Sequence, residues 1–271
     1  MDILEQTTQF DYFDGPDTRP AFDFHTGART TLRCRQFELS ITDARTLADA
    51  PQIEREGFEL VNHKTSVSMS DDRETIDRIY HEEVGSMLKE RFGAYLVIPF
   101  RIGLLIRKPP KEDGFYRDQM KGTRIAHLDY TDNSMDMWVR VCAEMEGVDP
   151  GEYKRMAVYQ TWRMFAPGPQ QETLALCDAR TVKPGGDVVF DSIISDDDRQ
   201  TFESRVMKYS PDHSWYYWSN LTRDEMLLFK GYDTDLSLIR DVPHQAITTP
   251  GDPAGRNPRE SIETRFFLFF R

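Results

Sequence analysis

Most of the chain alternates short apolar segments with polar turns, and only two stretches have a helical period. Between positions 71 and 92, apolar residues recur every three or four positions, which predicts an amphipathic helix. Ser70 or Asp71 could cap its start, and Gly93 stands just past its end. A second helix is expected at about 134–145, where four apolar residues share one face.

The remaining predicted elements are strands, and they favour a mainly β fold with flanking helices. They are expected at 33–40, 57–61, 94–98, 103–106, 157–165, 174–177, 187–190, 214–218, 226–232, 244–248 and 261–270. Many short strands separated by Gly, Pro and Asp turns are typical of a sandwich or barrel. We expect residues 1–30 to form an irregular N-terminal arm and residues 1–271 to form one domain.

Charge and cysteine content exclude several classes of protein. Lys and Arg number 34 against 46 Asp and Glu, so the net charge is −12. Binding to nucleic acid or to anionic lipid needs clustered cations, so neither partner is expected. The three cysteines are widely spaced without a CxxC motif, which favours a reducing cytoplasm. No apolar run approaches the roughly 20 residues of a membrane-spanning helix.

The triplet His127-Leu128-Asp129 is the first candidate for chemistry. On a strand, residues two apart point to the same face, so the imidazole and the carboxylate could bind one metal ion. A histidine from another strand would complete a two-His-one-carboxylate triad, as found in non-haem Fe(II) oxygenases. The triplet by itself is more often structural than functional.

The second candidate lies near the C-terminus, where His244 opens a predicted strand and Arg259 and Ser261 follow. An arginine can bind a carboxylate through two hydrogen bonds, and a serine hydroxyl can add a third. The distal carboxylate of 2-oxoglutarate could be held in this way. Arg265 faces the same side as Ser261 and competes with Arg259 for this role. Alternatively, Arg259 is a surface loop residue next to Pro258.

Several blocks of sequence together carry a family resemblance. They are 125–131 (IAHLDYT), 158–163 (VYQTWR), 174–182 (LALCDARTV), 213–217 (HSWYY), 221–233 (LTRDEMLLFKGYD) and 258–265 (PRESIETR). From about residue 33 to the C-terminus, the chain resembles the CmcJ/AsaB/NvfI-like family of Fe(II)- and 2-oxoglutarate-dependent oxygenases, which includes fungal GA4 desaturase-type proteins. The resemblance implies a double-stranded β-helix, the jelly-roll barrel of cupin-like proteins.

The resemblance also implies ligands and a reaction. His127, Asp129 and His244 would bind Fe(II), and Arg259 with Ser261 would bind the co-substrate 2-oxoglutarate. With O2, such an enzyme would hydroxylate, desaturate or cyclise a small secondary metabolite.

Several positions are expected to contact the substrate. Tyr130 and Gln160 stand where the family usually has Gln and Asn, so the substrate or the outcome could differ. Arg163 is expected to point into the barrel, toward a substrate carboxylate or a structural aspartate. Trp215 and Tyr217 are a further pair of candidates, although the other two aromatic residues of the WYYW run could line the pocket instead.

Two other functions compete with the oxygenase. One is a cupin-like metalloenzyme that performs isomerisation or hydrolysis without 2-oxoglutarate, and the other is a metal-free binding module. Neither needs the R-x-S motif that follows His244. The sequence allows a homodimer but contains no feature that decides the oligomeric state.

Overall fold

The computed structural model describes residues 5–23, 30–109, 123–193 and 201–271. The first part of the chain forms β1 (Glu5–Phe13), β2 (Ala21–Asp23), β3 (Cys34–Asp43), β4 (Phe58–Asn62), α1 (Arg73–Phe92), β5 (Leu96–Pro99), β6 (Leu105–Arg107) and β7 (His127–Leu128). The rest forms α2 (Asp132–Glu146), β8 (Arg155–Met164), β9 (Glu172–Cys177), β10 (Asp187–Ile193), β11 (Thr201–Met207), β12 (Trp215–Tyr217), β13 (Glu225–Asp233), β14 (His244–Thr248) and β15 (Ser261–Phe270).

The strands assemble into two sheets. The large sheet has nine strands in the order β1-β3-β12-β9-β14-β7-β11-β10-β2. The small sheet has the order β4-β13-β8-β15-β5, and β6 also pairs with β15. The large sheet curls, so that its edge strand β1 also contacts β14 and β11. Strands distant in sequence become neighbours in both sheets, which is the connectivity expected of a jelly-roll barrel.

Helix α1 covers the outer face of the small sheet. Its buried residues Ile76, Tyr80, Val84 and Leu88 pack against alternate residues of β15, among them Phe266. The predicted helix is confirmed, but Asp72 caps it rather than Ser70 or Asp71, because the Asp72 carboxylate accepts the amide hydrogen of Thr75. Gly93 ends the helix with a φ of 63°, a conformation that costs glycine little.

A second apolar cluster fills the space between the two sheets. It includes Trp162 of β8, Phe229 of β13 and Leu176 of β9. A third cluster lies on the opposite face of the large sheet, where the curled edge strand β1 covers it. The large sheet is therefore buried on both faces over much of its area, and only the face toward the small sheet can contribute to a site inside the barrel.

The expected irregular arm is wrong for two segments of residues 1–30. Residues Glu5–Phe13 form β1, which pairs with β3 along its whole length, and Ala21–Asp23 form β2. The alternation of Thr8, Phe10 and Tyr12, all buried, carried this signal in the sequence. Residues 1–4 and 24–29 of the expected arm lie outside the described residues. Strand β11 was also missed, because the polar run Glu203–Arg205 interrupts its apolar positions.

Within the four described ranges, no helix combines the length and the apolar character that crossing a membrane requires.

Candidate metal centre and active site

Two histidines meet inside the barrel because of strand register. His127 of β7 and His244 of β14 are directly opposed across an antiparallel pair. Directly opposed residues place their side chains on the same face of a sheet. The two imidazole rings accordingly lie with centroids 4.3 Å apart, and the ring of His244 also packs on Phe229 of the small sheet.

The same backbone arrangement orients both rings. His127 donates its Nδ1 hydrogen to the carbonyl oxygen of Ile125 at 2.7 Å, and His244 donates to that of Val242 at 3.1 Å. A carbonyl only accepts, so Nδ1 carries the proton in each ring and Nε2 keeps its lone pair. Burial and the neighbouring His127 lower the pKa of His244 to about 4, so this ring is neutral at physiological pH. A neutral imidazole is the form that binds a metal.

Asp129 completes the group two residues after His127. Its Oδ1 lies 3.4 Å from His127 Nε2 and 3.9 Å from His244 Nε2. One ligand atom from each of the three residues falls within 4.8 Å of the others. The two histidines and the carboxylate that the sequence predicted to act together are therefore adjacent and could hold one metal ion.

Arg265 binds the other oxygen of this carboxylate. Its Nε and Nη2 donate to Asp129 Oδ2 at 2.9 and 2.7 Å, and Nη2 also donates to Glu263 Oε1 at 2.5 Å. Burial by itself would raise the pKa of Asp129, but the positive charge of Arg265 holds it well below its usual range. The suggestion that Arg265 clamps 2-oxoglutarate is wrong for this structure, because its guanidinium is already bound to two carboxylates.

Arg259 is in a different situation. Its Nε donates to Ser261 Oγ at 2.9 Å, and its guanidinium lies 5.3 Å above the centre of the Trp162 ring. The residue is 9% exposed, yet Nη1 has no hydrogen-bond partner among the described residues. Burial, and to a smaller extent the positive charge of Arg107, lower the pKa of Arg259 to about 10, so the guanidinium is still charged at neutral pH. A buried cation with an unpaired donor is suited to an anionic ligand.

Tyr130 and Gln160 are buried close to the metal centre. Tyr130 follows Asp129 directly, and Gln160 is opposite Arg265 in the register of β8 and β15. A Cβ atom on Gly231 would lie only 3.0 Å from Gln160 Nε2 and 3.1 Å from a ring carbon of Tyr130, so both side chains approach the same point of β13. Within the described ranges, neither the Tyr130 hydroxyl nor Gln160 Oε1 has a hydrogen-bond partner.

The expectation that Arg163 points into the barrel is wrong. Its guanidinium lies on the outer face of β8, under helix α1, and donates to the hydroxyl of Tyr80 at 3.0 Å. It also donates to the carbonyl oxygens of His63 and Arg223, both at 2.5 Å. The buried arginine is thus satisfied by backbone and hydroxyl oxygens rather than by a substrate carboxylate.

Trp215 and Tyr217 are also wrong as residues of the pocket. Both belong to the apolar cluster on the far side of the large sheet. Trp215 donates its indole hydrogen to the hydroxyl of Tyr12, and Tyr217 donates to Gln6 Oε1, each at 2.7 Å. They attach the edge strand β1 to the barrel.

Sequence reasoning missed Glu263 and Trp162 as residues of this site. A signal existed for the first, because Ser261, Glu263 and Arg265 are polar at alternate positions of the strand and therefore share one face. Trp162 was treated only as part of a family block, and its position under Arg259 follows from the pairing of β8 with β15.

A barrel with two imidazoles and one carboxylate on its inner face has the arrangement of the non-haem Fe(II) oxygenases. A family model described as "Oxidoreductase/YMDC permease-like domain" matches residues 10–269. The chain is 28% identical to hydroxylase/desaturase efuI of Hormonema carpetanum, over 89% of this chain and 86% of that protein. It is 30% identical to hydroxylase/desaturase CTB9 of Cercospora beticola, over 80% of this chain and 72% of that protein.

A solved structure agrees with the fold. The iron and alpha-ketoglutarate-dependent endoperoxidase NvfI superimposes with a TM-score of 0.84 at 22% identity, covering 99% of both chains. This likeness confirms the predicted double-stranded β-helix. The chain belongs to the family of Fe(II)- and 2-oxoglutarate-dependent oxygenases that these relatives represent.

Proposed function

We propose that this protein oxidises a C–H bond of a small secondary metabolite, with His127, Asp129 and His244 as the ligands of Fe(II). The outcome would be hydroxylation, desaturation or oxidative cyclisation. The relatives efuI and CTB9 are named hydroxylase/desaturase, and NvfI is named an endoperoxidase. The convergence of one ligand atom from each of these three residues within 4.8 Å is the observation that supports this function.

The donor set fits Fe(II). Both histidines have Nδ1 committed to a backbone carbonyl, so each can offer Nε2 without rotating its ring. Asp129 is held ionised by Arg265, and a charged carboxylate oxygen is a suitable ligand for a divalent ion. With 2-oxoglutarate and O2, iron bound here would supply the oxidising chemistry.

The site for 2-oxoglutarate fits the surroundings of Arg259. The charged guanidinium has an unpaired Nη1 in a buried position, and Ser261 beside it offers a hydroxyl. A carboxylate at this point would give the arginine the anionic partner that it lacks. Arg259 and Ser261 would then fix the distal end of 2-oxoglutarate, so that its 2-oxo acid end is presented to the metal centre.

Two further residues of the chain would orient the substrate. Tyr130 and Gln160, whose side chains approach each other at Gly231, provide a hydroxyl and an amide oxygen, and neither group is satisfied by the described residues. We assign them to the substrate side of the site, where they would orient a polar group of the metabolite. The buried aromatic rings around them would exclude water from the reaction.

An anaerobic titration with Fe(II) and 2-oxoglutarate tests the function. Chelation of iron by the 2-oxo acid gives a visible charge-transfer absorption, which we expect at one 2-oxoglutarate per chain. Absence of both this absorption and 2-oxoglutarate binding would disprove the proposal. Metal binding without 2-oxoglutarate would instead favour a cupin-like metalloenzyme, and no metal binding would favour a binding module.

Three sequence-based expectations accompany this function as part of the proposal. They are a single domain over residues 1–271, location in the cytoplasm and independence from nucleic acid and membranes. A homodimer is compatible with the same site, which is assembled from one chain. Size-exclusion chromatography with light scattering would determine the oligomeric state.

A further inference from the structure

Arg265 joins two carboxylates, those of Asp129 and Glu263, at the metal centre. One nitrogen, Nη2, donates both to Asp129 Oδ2 at 2.7 Å and to Glu263 Oε1 at 2.5 Å. The Nε of the same side chain donates to Asp129 Oδ2, and Nη1 donates to the carbonyl oxygen of Gly103 at 3.0 Å. All three nitrogens of the guanidinium are therefore engaged, and its orientation is fixed.

These contacts give the two oxygen atoms of Asp129 different partners. Asp129 presents Oδ1 toward both histidines, while Oδ2 is taken by Arg265. Glu263 is 8% exposed, and it lies within reach of the same guanidinium nitrogen as Asp129. Without Arg265, no hydrogen bond to this guanidinium would fix the positions of the oxygen atoms of Asp129 and Glu263.

The number of protein ligands matters for this class of enzyme. Two histidines and one carboxylate oxygen leave three of six positions open on iron, and 2-oxoglutarate takes two of them through its 2-oxo acid group. A second oxygen from Asp129, or any oxygen from Glu263, would occupy a position that 2-oxoglutarate or O2 needs. An otherwise similar site with one more carboxylate ligand would bind metal but chelate the co-substrate poorly.

We propose that Arg265 is a positioning residue that limits the protein's carboxylate ligation to one oxygen of Asp129 and keeps Glu263 away from the metal. The proposal rests on the proposed function. It differs from the role of Arg259, because Arg265 would bind no co-substrate and would act only through the two carboxylates.

The test is a set of anaerobic titrations that record iron binding and the charge-transfer absorption of the 2-oxoglutarate complex. Wild-type protein comes first, because failure there would reject the proposed function rather than this inference. For Arg265→Gln, we expect Fe(II) still to bind and the dissociation constant of 2-oxoglutarate to rise about tenfold or more. Adding Glu263→Gln should recover most of this loss, since the neutral amide is a poor ligand for iron.

Two controls keep the result interpretable. Arg45→Gln breaks a two-bond pair with Glu225 outside the site, and it should leave 2-oxoglutarate binding unchanged. If Arg265→Gln does not fold, Arg265→Lys replaces it. A single ammonium cannot reproduce the fixed fork of the guanidinium, so the same loss and the same recovery are expected. Wild-type affinity in the Arg265 variant, or no recovery in the double variant, would overturn the proposal.

Discussion

His127 and His244 face each other across adjacent antiparallel strands, and each ring is fixed by a hydrogen bond to the carbonyl oxygen two residues before it. Strand β7 is only two residues long, yet β14 and β11 pair with it on either side. A slip of one residue in either pairing would turn an imidazole to the opposite face of the sheet. The metal centre therefore depends on the register of the large sheet as much as on the ligands themselves.

Replacing His244 by alanine should strongly weaken metal binding and abolish turnover without unfolding the protein. The substitution removes one of three donors, while alanine is accommodated in a strand whose neighbours remain paired. We expect bound Fe(II) per chain, measured after gel filtration, to fall at least tenfold, and succinate production from 2-oxoglutarate to disappear. Circular dichroism should match that of the wild type. Succinate production at the wild-type rate would disprove the triad.

Replacing Arg259 by alanine should raise the requirement for 2-oxoglutarate and leave iron binding almost unchanged. Hydrogen bonds to a charged group contribute about 1.5–3 kcal/mol, which corresponds to roughly 10- to 150-fold in affinity. Pyruvate, a 2-oxo acid without the distal carboxylate, provides the control, because its weaker binding should be the same in both proteins. Equal loss for both acids would show that Arg259 supports the centre in general rather than the distal carboxylate.

The parts of this site that follow a short-range rule could be predicted from the sequence. Residues 127 and 129 share a face because the strand period is two, and the same rule pairs 259 with 261. That His244 lies opposite His127 required the pairing of strands more than 100 residues apart, which no local pattern specifies. The resemblance to a family supplied that connection.

The errors have a common physical cause. Eight consecutive residues of β8, including Arg163, are buried, so the sequence offers no contrast between its inner and outer faces. Trp215 and Tyr217 were misplaced because the large sheet is buried on both sides, and aromatic residues suit either side. Arg265 stayed a competitor for the 2-oxoglutarate clamp because its binding partner depends on which carboxylate folds against it, and Asp129 comes from 136 positions earlier in the chain.

Arg163 should contribute to the stability of the fold and not to the binding of 2-oxoglutarate. In Arg163→Met, the carbonyl oxygens of His63 and Arg223 lose a charged donor in a partly buried environment. We expect the free energy of unfolding in urea to fall by roughly 3 kcal/mol, since each unpaired group costs about 1–3 kcal/mol. Affinity for 2-oxoglutarate should not change. The matched variant Arg45→Met, at a more exposed pair, should lose only about 0–1 kcal/mol. If Arg163→Met instead weakened 2-oxoglutarate binding and left stability unchanged, Arg163 would have to be a residue of the active site.

The same arginine makes the metal-free protein sensitive to acid through His63. Burial, followed by repulsion from Arg163, lowers the pKa of His63 in the folded state, whereas the unfolded chain has a value of about 6.5. As the pH falls below about 6.5, the unfolded chain takes up the proton first, so this contribution to stability is present above that pH and is lost below it.

His63→Gln removes the titrating group and keeps an oxygen that can accept from Arg163. We expect the free energy of unfolding to fall less between pH 7 and pH 5 in the variant than in the wild type. Other buried histidines contribute equally to the pH dependence of unfolding in both proteins, so the difference between the two proteins is due to His63. If the free energy of unfolding fell by the same amount in both proteins, His63 would not be the source of the acid sensitivity.

Substitution of Gly231 should affect substrate binding and not the binding of iron or 2-oxoglutarate. A methyl group at this position would lie 3.0–3.1 Å from Gln160 and Tyr130, closer than an unstrained contact, so Gly231→Ala must displace both side chains. Iron and 2-oxoglutarate binding should survive, because the three atoms nearest to the added methyl belong to Gln160 and Tyr130 and not to Arg259 or the candidate ligands. Once a substrate is known, its KM should rise while the dissociation constant of 2-oxoglutarate stays constant. Tyr130→Phe is the comparison variant, since it removes one hydroxyl without crowding. If neither variant changes the KM, Tyr130 and Gln160 do not contact the substrate.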